Sequence, residues 1–213
     1  MRQEIRFTNE DRIAIIAPHP DDECLGASSA LILAPGITDI FVLTDGSHGS
    51  KERGIREEAA VRRAQFEAEM EYVKPNSYKW LGIEDTKMSL HREEIKKIDF
   101  KPYTIVFLPW IKSLHPDHRY AAKFCMDEIG KQKADCTCYF YEINAPFHEP
   151  THYIDITGIE DEKRRLVRFH KDQNEQENIT LSLNAFRAAQ MLKHPEMECV
   201  ETFEKVDMDL WDQ

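Results

Sequence analysis

Arg12-Ile13-Ala14-Ile15-Ile16-Ala17-Pro18-His19-Pro20-Asp21-Asp22-Glu23 is the stretch that decides the fold. Its first half, Arg12–Ala17, is almost continuously apolar, as a strand buried on both faces of a parallel sheet must be. Its second half switches abruptly to turn-forming, imidazole and acidic residues. The same switch occurs again later. Tyr103–Pro109 reads as a second buried strand, and the cluster His115-Pro116-Asp117-His118 follows it. Segments leaving the carboxyl ends of parallel strands collect along one edge of the sheet, where ligands bind. Two clusters distant in sequence are therefore expected side by side in space.

Outward from these clusters, strands alternate with helices. Further strands are expected at Asp39–Leu43, Ser77–Leu81, Cys138–Ile143 and Tyr153–Ile156. Helices are expected at Asp22–Leu33, Ile55–Tyr72, Leu90–Ile98, His118–Ile129, Ile159–His170 and Leu181–Lys193. Asp117 is placed to cap the helix that starts at His118. Lys171–Asn178 reads as a polar break, and the acidic stretch Glu196–Asp212 as a solvated end. The alternation predicts an α/β fold with a mostly parallel sheet. The length of 213 residues suits one domain covering 1–213, and no repeat, linker or low-complexity tract interrupts it.

Composition narrows the function classes. Hydrophobic residues make up 41% and charged residues 31%, which is ordinary for a globular protein. The longest apolar runs are strand-length, well short of the roughly 20 residues that span a bilayer. A formal net charge of −11 argues against a nucleic-acid or anionic-membrane partner, which requires clustered Lys and Arg. The five cysteines are odd in number, and the amino-terminal residues show no apolar secretory core. Reduced thiols and a cytoplasmic location are expected. Cys136-Thr137-Cys138 lies in a strand-like run and lacks the second cysteine pair of a closed zinc site, so it reads as structural.

The clusters carry the chemistry. Catalytic zinc takes three protein ligands and keeps a position for water. His19 and Asp22, three residues apart at a strand-to-helix turn, can both face such an ion. One of His115 and His118 would complete the set, and the other would face substrate. A bound metal lowers the pKa of its water to roughly 7 in the best cases. Asp21, beside Asp22 but not needed as a ligand, fits the general base and later acid. A free imidazole near the developing oxyanion would stabilise it. The reaction class implied is metal-assisted hydrolysis of an amide. Iron(II) or cobalt would suit the same donors as zinc.

These residues resemble the PIG-L/LmbE-like family of zinc-dependent deacetylases. The likeness rests on His19-Pro20-Asp21-Asp22-Glu23 with His115-Pro116-Asp117-His118, and extends over most of the chain. Phe41-Val42-Leu43-Thr44-Asp45-Gly46 is similar to the family's second strand and turn. Arg62-Arg63-Ala64-Gln65-Phe66 resembles its arginine-bearing helix motif, and Trp80-Leu81-Gly82-Ile83-Glu84-Asp85 a further segment. Asp155-Ile156-Thr157, Lys163 and His170-Lys171-Asp172-Gln173 are similar to its weaker carboxy-terminal features.

The resemblance implies a Rossmann-like open sheet that binds metal rather than a dinucleotide. It implies removal of an acetyl group from an N-acetylglucosamine-type sugar or conjugate. It makes His19, Asp22 and His118 the zinc ligands, Asp21 the general base and acid, and His115 the oxyanion stabiliser. Asp117 would orient a histidine. Arg62 and Asp85 would touch substrate, and His48, in the loop after the second strand, could reach it. The sequence departs from the family pattern at Ala27-Ser28-Ser29, Gln65, Val73-Lys74-Pro75 and Asp172, all away from the metal ligands. Two rival readings stand beside the sugar deacetylase: an amidase for a non-sugar amide or thiol conjugate, and a metal-binding partner module without turnover. The expected partner is a small amino-sugar molecule, and homo-oligomerisation is compatible with the sequence.

Overall fold

The computed structural model describes residues 2–143, 145–171 and 174–211. In chain order the elements are β1 (Gln3–Glu4), β2 (Ile13–Ala17), α1 (Asp22–Gly26), α2 (Ser28–Leu33), β3 (Thr38–Thr44), α3 (Ile55–Val73), β4 (Ser77–Ile83), α4 (Arg92–Ile95), β5 (Ile105–Pro109), α5 (Pro116–Gln132), β6 (Thr137–Tyr141), β7 (His152–Asp155), α6 (Glu160–Val167), α7 (Asn174–Ala189), β8 (Val200–Lys205) and α8 (Met208–Trp211). The eight strands form one sheet in the order β1-β7-β8-β6-β5-β2-β3-β4. All neighbours are parallel except β8, which runs antiparallel to both β6 and β7.

The apolar run of β2 is buried at every position because it lies between β3 and β5 with helices on both faces. Alternate residues serve opposite cores. Ile13, Ile15 and Ala17 pack with Leu25, Leu31, Phe66 and Met70 on one face. Ala14 and Ile16 pack with Leu43, Val106, Leu108, Cys125 and Met126 on the other. From β2 the chain moves to β3 and β4 on one side, then crosses back to β5 on the other. The direction of winding thus reverses between β2 and β5, and both histidine clusters leave the sheet at that crevice.

Four expectations need correction. The helix expected over Asp22–Leu33 is two helices, parted at Ala27. The Glu201 carboxylate accepts from the backbone N–H and the hydroxyl of both Ser28 and Ser29, which starts a fresh helix there. Gly26 closes α1 against Tyr141, whose ring would overlap any Cβ at that position. Second, the stretch read as a polar break contains the start of α7 at Asn174. Its Glu177 is held by Arg164 and Arg168 at 2.8–3.1 Å, so ion pairs and not an apolar stripe secure these first turns.

Third, the stretch read as a solvated tail supplies β8, with Val200, Glu201, Thr202 and Phe203 all buried. Its polar side chains find partners inside: Lys163 Nζ lies 2.7 Å from Glu201, and the Thr202 hydroxyl bonds Glu142. Fourth, α5 begins at Pro116, so His115 and not Asp117 is its N-cap. Short β1 was also not anticipated. Asp172, Gln173 and Asp212 lie outside the described residues. No helix among the described residues is long and apolar enough to cross a membrane.

Candidate active site

The turn after β2 carries His19, Asp21 and Asp22; the loop after β5 and the first turn of α5 carry His115, Asp117 and His118. Three donor atoms from these segments form a near-equilateral triangle. His19 Nδ1 is 3.2 Å from Asp22 Oδ2 and 3.2 Å from His118 Nε2, and the last two are also 3.2 Å apart. Tetrahedral ligation with bonds of about 2.0–2.1 Å puts neighbouring donor atoms roughly 3.3 Å apart. The triangle therefore has the size of one face of a zinc coordination tetrahedron. Two imidazole nitrogens and one carboxylate oxygen are also the donor set that zinc accepts. The residues fit a divalent metal.

Each imidazole in the triangle is oriented through its other nitrogen. His19 Nε2 lies 3.1 Å from Asp85 Oδ1 and 3.6 Å from Asp117 Oδ2. The Ser113 hydroxyl lies 3.2 Å from His118 Nδ1. Partners of this kind fix the ring and its tautomer. Burial works against a charged His19, but its bonds to Asp117, Asp22 and Asp85 outweigh burial and hold its pKa well above the ordinary value. Burial would likewise raise the Asp22 carboxyl, yet His118 and His19 hold it far below the usual range. A site that favours positive charge so strongly suits a cation.

Asp21 sits beside the triangle in an uncommon backbone state, with φ 136°. Few non-glycine residues adopt this region, and it costs about 1–3 kcal/mol. Its Oδ2 is 2.9 Å from a guanidinium nitrogen of Arg62, which also bonds the Pro20 carbonyl. Burial raises the Asp21 pKa, against the pull of Arg62. Gly46, at φ 63°, lets the turn after β3 close over this pair, since a Cβ there would lie 3.1 Å from Arg62 Nε.

His115 presents its ring edge-on to His19, with centroids 4.6 Å apart. As N-cap of α5, its Nδ1 accepts from the Asp117 N–H at 3.3 Å. An accepting Nδ1 leaves the proton of the neutral ring on Nε2. Burial, then His19 and His118, lower the His115 pKa and favour that neutral form. The Asp117 carboxylate does not touch His115; it accepts from the Thr86 and Met88 N–H groups at 2.7 and 3.3 Å.

A cavity of about 270 Å³ joins these groups, lined by His19, Asp21, Asp22, Arg62, Asp85, His115 and His118. Two residues expected to touch substrate, Arg62 and Asp85, have protein partners, the first at Asp21 and the second at His19. His48 lines the cavity, and its N–H donates to Asp85 Oδ2 at 3.0 Å. Sequence reasoning missed Ser113, Asp45 and Gln176. Asp45 Oδ1 accepts from the Asp85 and Ser47 N–H groups at 3.0 Å. Its place in the turn directly after β3 was the available signal. Gln176 reaches the cavity from the start of α7, inside the stretch read as a break.

Comparison with known proteins gives the fold and the family. A diacetylchitobiose deacetylase from Thermococcus kodakarensis is 25% identical over 196 residues, covering 78% of this chain and 72% of its own. The structure of N,N'-diacetylchitobiose deacetylase from Pyrococcus horikoshii superposes with a TM-score of 0.77 at 19% identity, over 94% of this chain and 85% of that one. The 4-carboxy-2-hydroxymuconate hydratase from Pseudomonas putida shares the fold as well, with a TM-score of 0.73 at 15% identity over 92% and 96% of the two chains. The family model described as "PIG-L: GlcNAc-PI de-N-acetylase" matches residues 14–129, from β2 through most of α5. With both histidine clusters inside that match, which spans more than half its length, the chain belongs to the PIG-L family.

Proposed function

We propose that this protein is a metal-dependent N-deacetylase that removes the acetyl group from an N-acetylglucosamine-type sugar or conjugate. The observation that carries the reading is the 3.2 Å triangle of His19, Asp22 and His118 with Asp21 and His115 beside it. The family match and the named activities of the two diacetylchitobiose deacetylases support the acetylated amino sugar. A divalent ion held by His19, Asp22 and His118, zinc by its donor set, would supply Lewis acidity and a water acidified toward neutral pH.

The chain's own residues do the rest. Asp21 takes the proton of the attacking water and later returns it to the leaving amine. Arg62 holds the Asp21 carboxylate in register for both transfers. His115 points its Nε2–H at the acetyl oxygen, and that bond strengthens as negative charge develops there. Asp85 and Ser113 keep the two imidazole ligands aimed. A cavity of about 270 Å³ lies at the small end of ligand pockets, so one acetylated ring is recognised and the remainder of a conjugate stays outside.

Acetate release from a panel of N-acetylglucosamine conjugates tests the reading, with zinc-loaded wild type beside Asp21→Ala. Wild-type release that falls by about 10²–10⁴-fold in the variant, with one zinc retained, is expected. Cleavage of only non-sugar amides would replace the sugar with the amidase reading. One tightly bound metal with no turnover of any amide would leave a binding module.

A further inference from the structure

Behind the cavity lies a second group of titratable side chains that the proposed reaction does not use. Glu23, Glu69 and His170 are each 0% exposed. They come from three distant segments: the start of α1, the carboxy-terminal part of α3 and the turn after α6. His170 Nε2 lies 2.8 Å from Glu69 Oε2 and 3.6 Å from Glu23 Oε1. The other oxygen of Glu23 accepts from the Asp21 N–H at 3.2 Å. The Asp21 carbonyl is gripped from the same helix, by the Leu25 N–H at 2.9 Å, the Cys24 N–H at 3.1 Å and the Cys24 thiol at 3.2 Å.

We infer that His170 and Glu69 are positioning residues for Asp21, acting through Glu23. The inference rests on the proposed reaction only for Asp21's role, and it deepens that reading. The φ of 136° at Asp21 is a conformation the peptide would leave if released. Glu23 is a fully buried carboxylate, and to hold the Asp21 N–H it needs a countercharge beside it. Glu23 Oε1 has no hydrogen bond among the described residues and faces the His170 ring as an ion-pair contact at 3.6 Å, while the 2.8 Å bond to Glu69 fixes that ring. The short 2.8 Å contact is that of an N–H donor to a carboxylate, and leaves no room for a metal between the two atoms. His170 thus carries the carboxy-terminal half of the fold into the site without entering the cavity. Displacing a reacting group by about 1 Å costs on the order of 10²-fold in rate.

The test reads the Asp21 amide directly, by hydrogen exchange on the zinc-loaded protein, together with kcat and KM for acetate release and with metal content. His170→Ala is expected to speed exchange at Asp21 at least about tenfold and to lower kcat about 10–100-fold. KM should stay within about twofold, with one zinc per chain. His170→Gln, whose amide offers two N–H donors to the two glutamates, is expected to restore most of both. If His170→Ala does not fold, Glu69→Met keeps the volume, removes the acceptor and is expected to move both readouts the same way. Unchanged Asp21 exchange and kcat in folded His170→Ala would overturn the inference and leave a structural plug. Loss of a second metal equivalent in that variant would also overturn it, making the cluster a metal site. The exchange readout needs no substrate, so an inactive wild type would sink the deacetylase reading and leave this outcome readable.

Discussion

His115 combines two jobs that its ring can do at once. Its Nδ1 caps α5, and the cap decides that Nε2 keeps the proton that faces the cavity. The two jobs separate on substitution. Serine is a good N-cap but has no donor that reaches as far, so His115→Ser is expected to keep Tm close to wild type, within the roughly 1 kcal/mol of a cap exchange. Its kcat for acetate release should nonetheless fall about 10²–10³-fold. Thermal unfolding and steady-state kinetics on one preparation check both. At this scale the sequence was legible where chemistry is local. His19, Asp21 and Asp22 stand in one turn, and their spacing alone suggests their geometry. The partners of Arg62 and Asp85 were not legible, because Asp21 and His19 meet them only across the crevice.

Secondary-structure elements show a different limit. β2 and β5 announce themselves by apolar runs, since a strand buried on both faces has no other option. β8 does not, because Glu201 and Thr202 enter the core with partners on α2, α6 and the end of β6. No local pattern reveals such remote compensation. His170 is of the same kind, joining the turn after α6 to α3. Burial lowers its pKa, but the facing carboxylates of Glu23 and Glu69 outweigh burial and raise it to about 9. The unfolded value is roughly 6.5, so the folded state holds the proton more tightly. That stabilisation is complete below about pH 6.5 and is lost as pH rises toward 9. The metal-free protein is therefore expected to lose Tm between pH 6.5 and 9, and His170→Gln to lose less over that range. Parallel curves for the two proteins would contradict the assignment.

The whole molecule is a sheet whose winding reverses where its chemistry sits. β2 and β5 are neighbours, so the two clusters that leave them meet without any loop needing to reach far. That much followed from strand-helix alternation and the general behaviour of parallel sheets. The part not foreseen is how the carboxy-terminal third closes the molecule, with β8 inserted between β6 and β7 and its Glu201 bound to Lys163, Ser28 and Ser29. Glu201→Ala leaves the buried Lys163 charge without its partner. A loss of about 3–5 kcal/mol in unfolding free energy is expected, read by denaturant titration. Activity per folded molecule should be little changed, as Glu201 does not line the cavity. The most direct test of the whole proposal is to add zinc stepwise to metal-free protein and follow acetate release from an N-acetylglucosamine conjugate. Release that rises linearly and breaks at one zinc per chain, and that is absent at every zinc level in His118→Ala, is the expected result. Full release from metal-free protein, or equal release from His118→Ala, would contradict it.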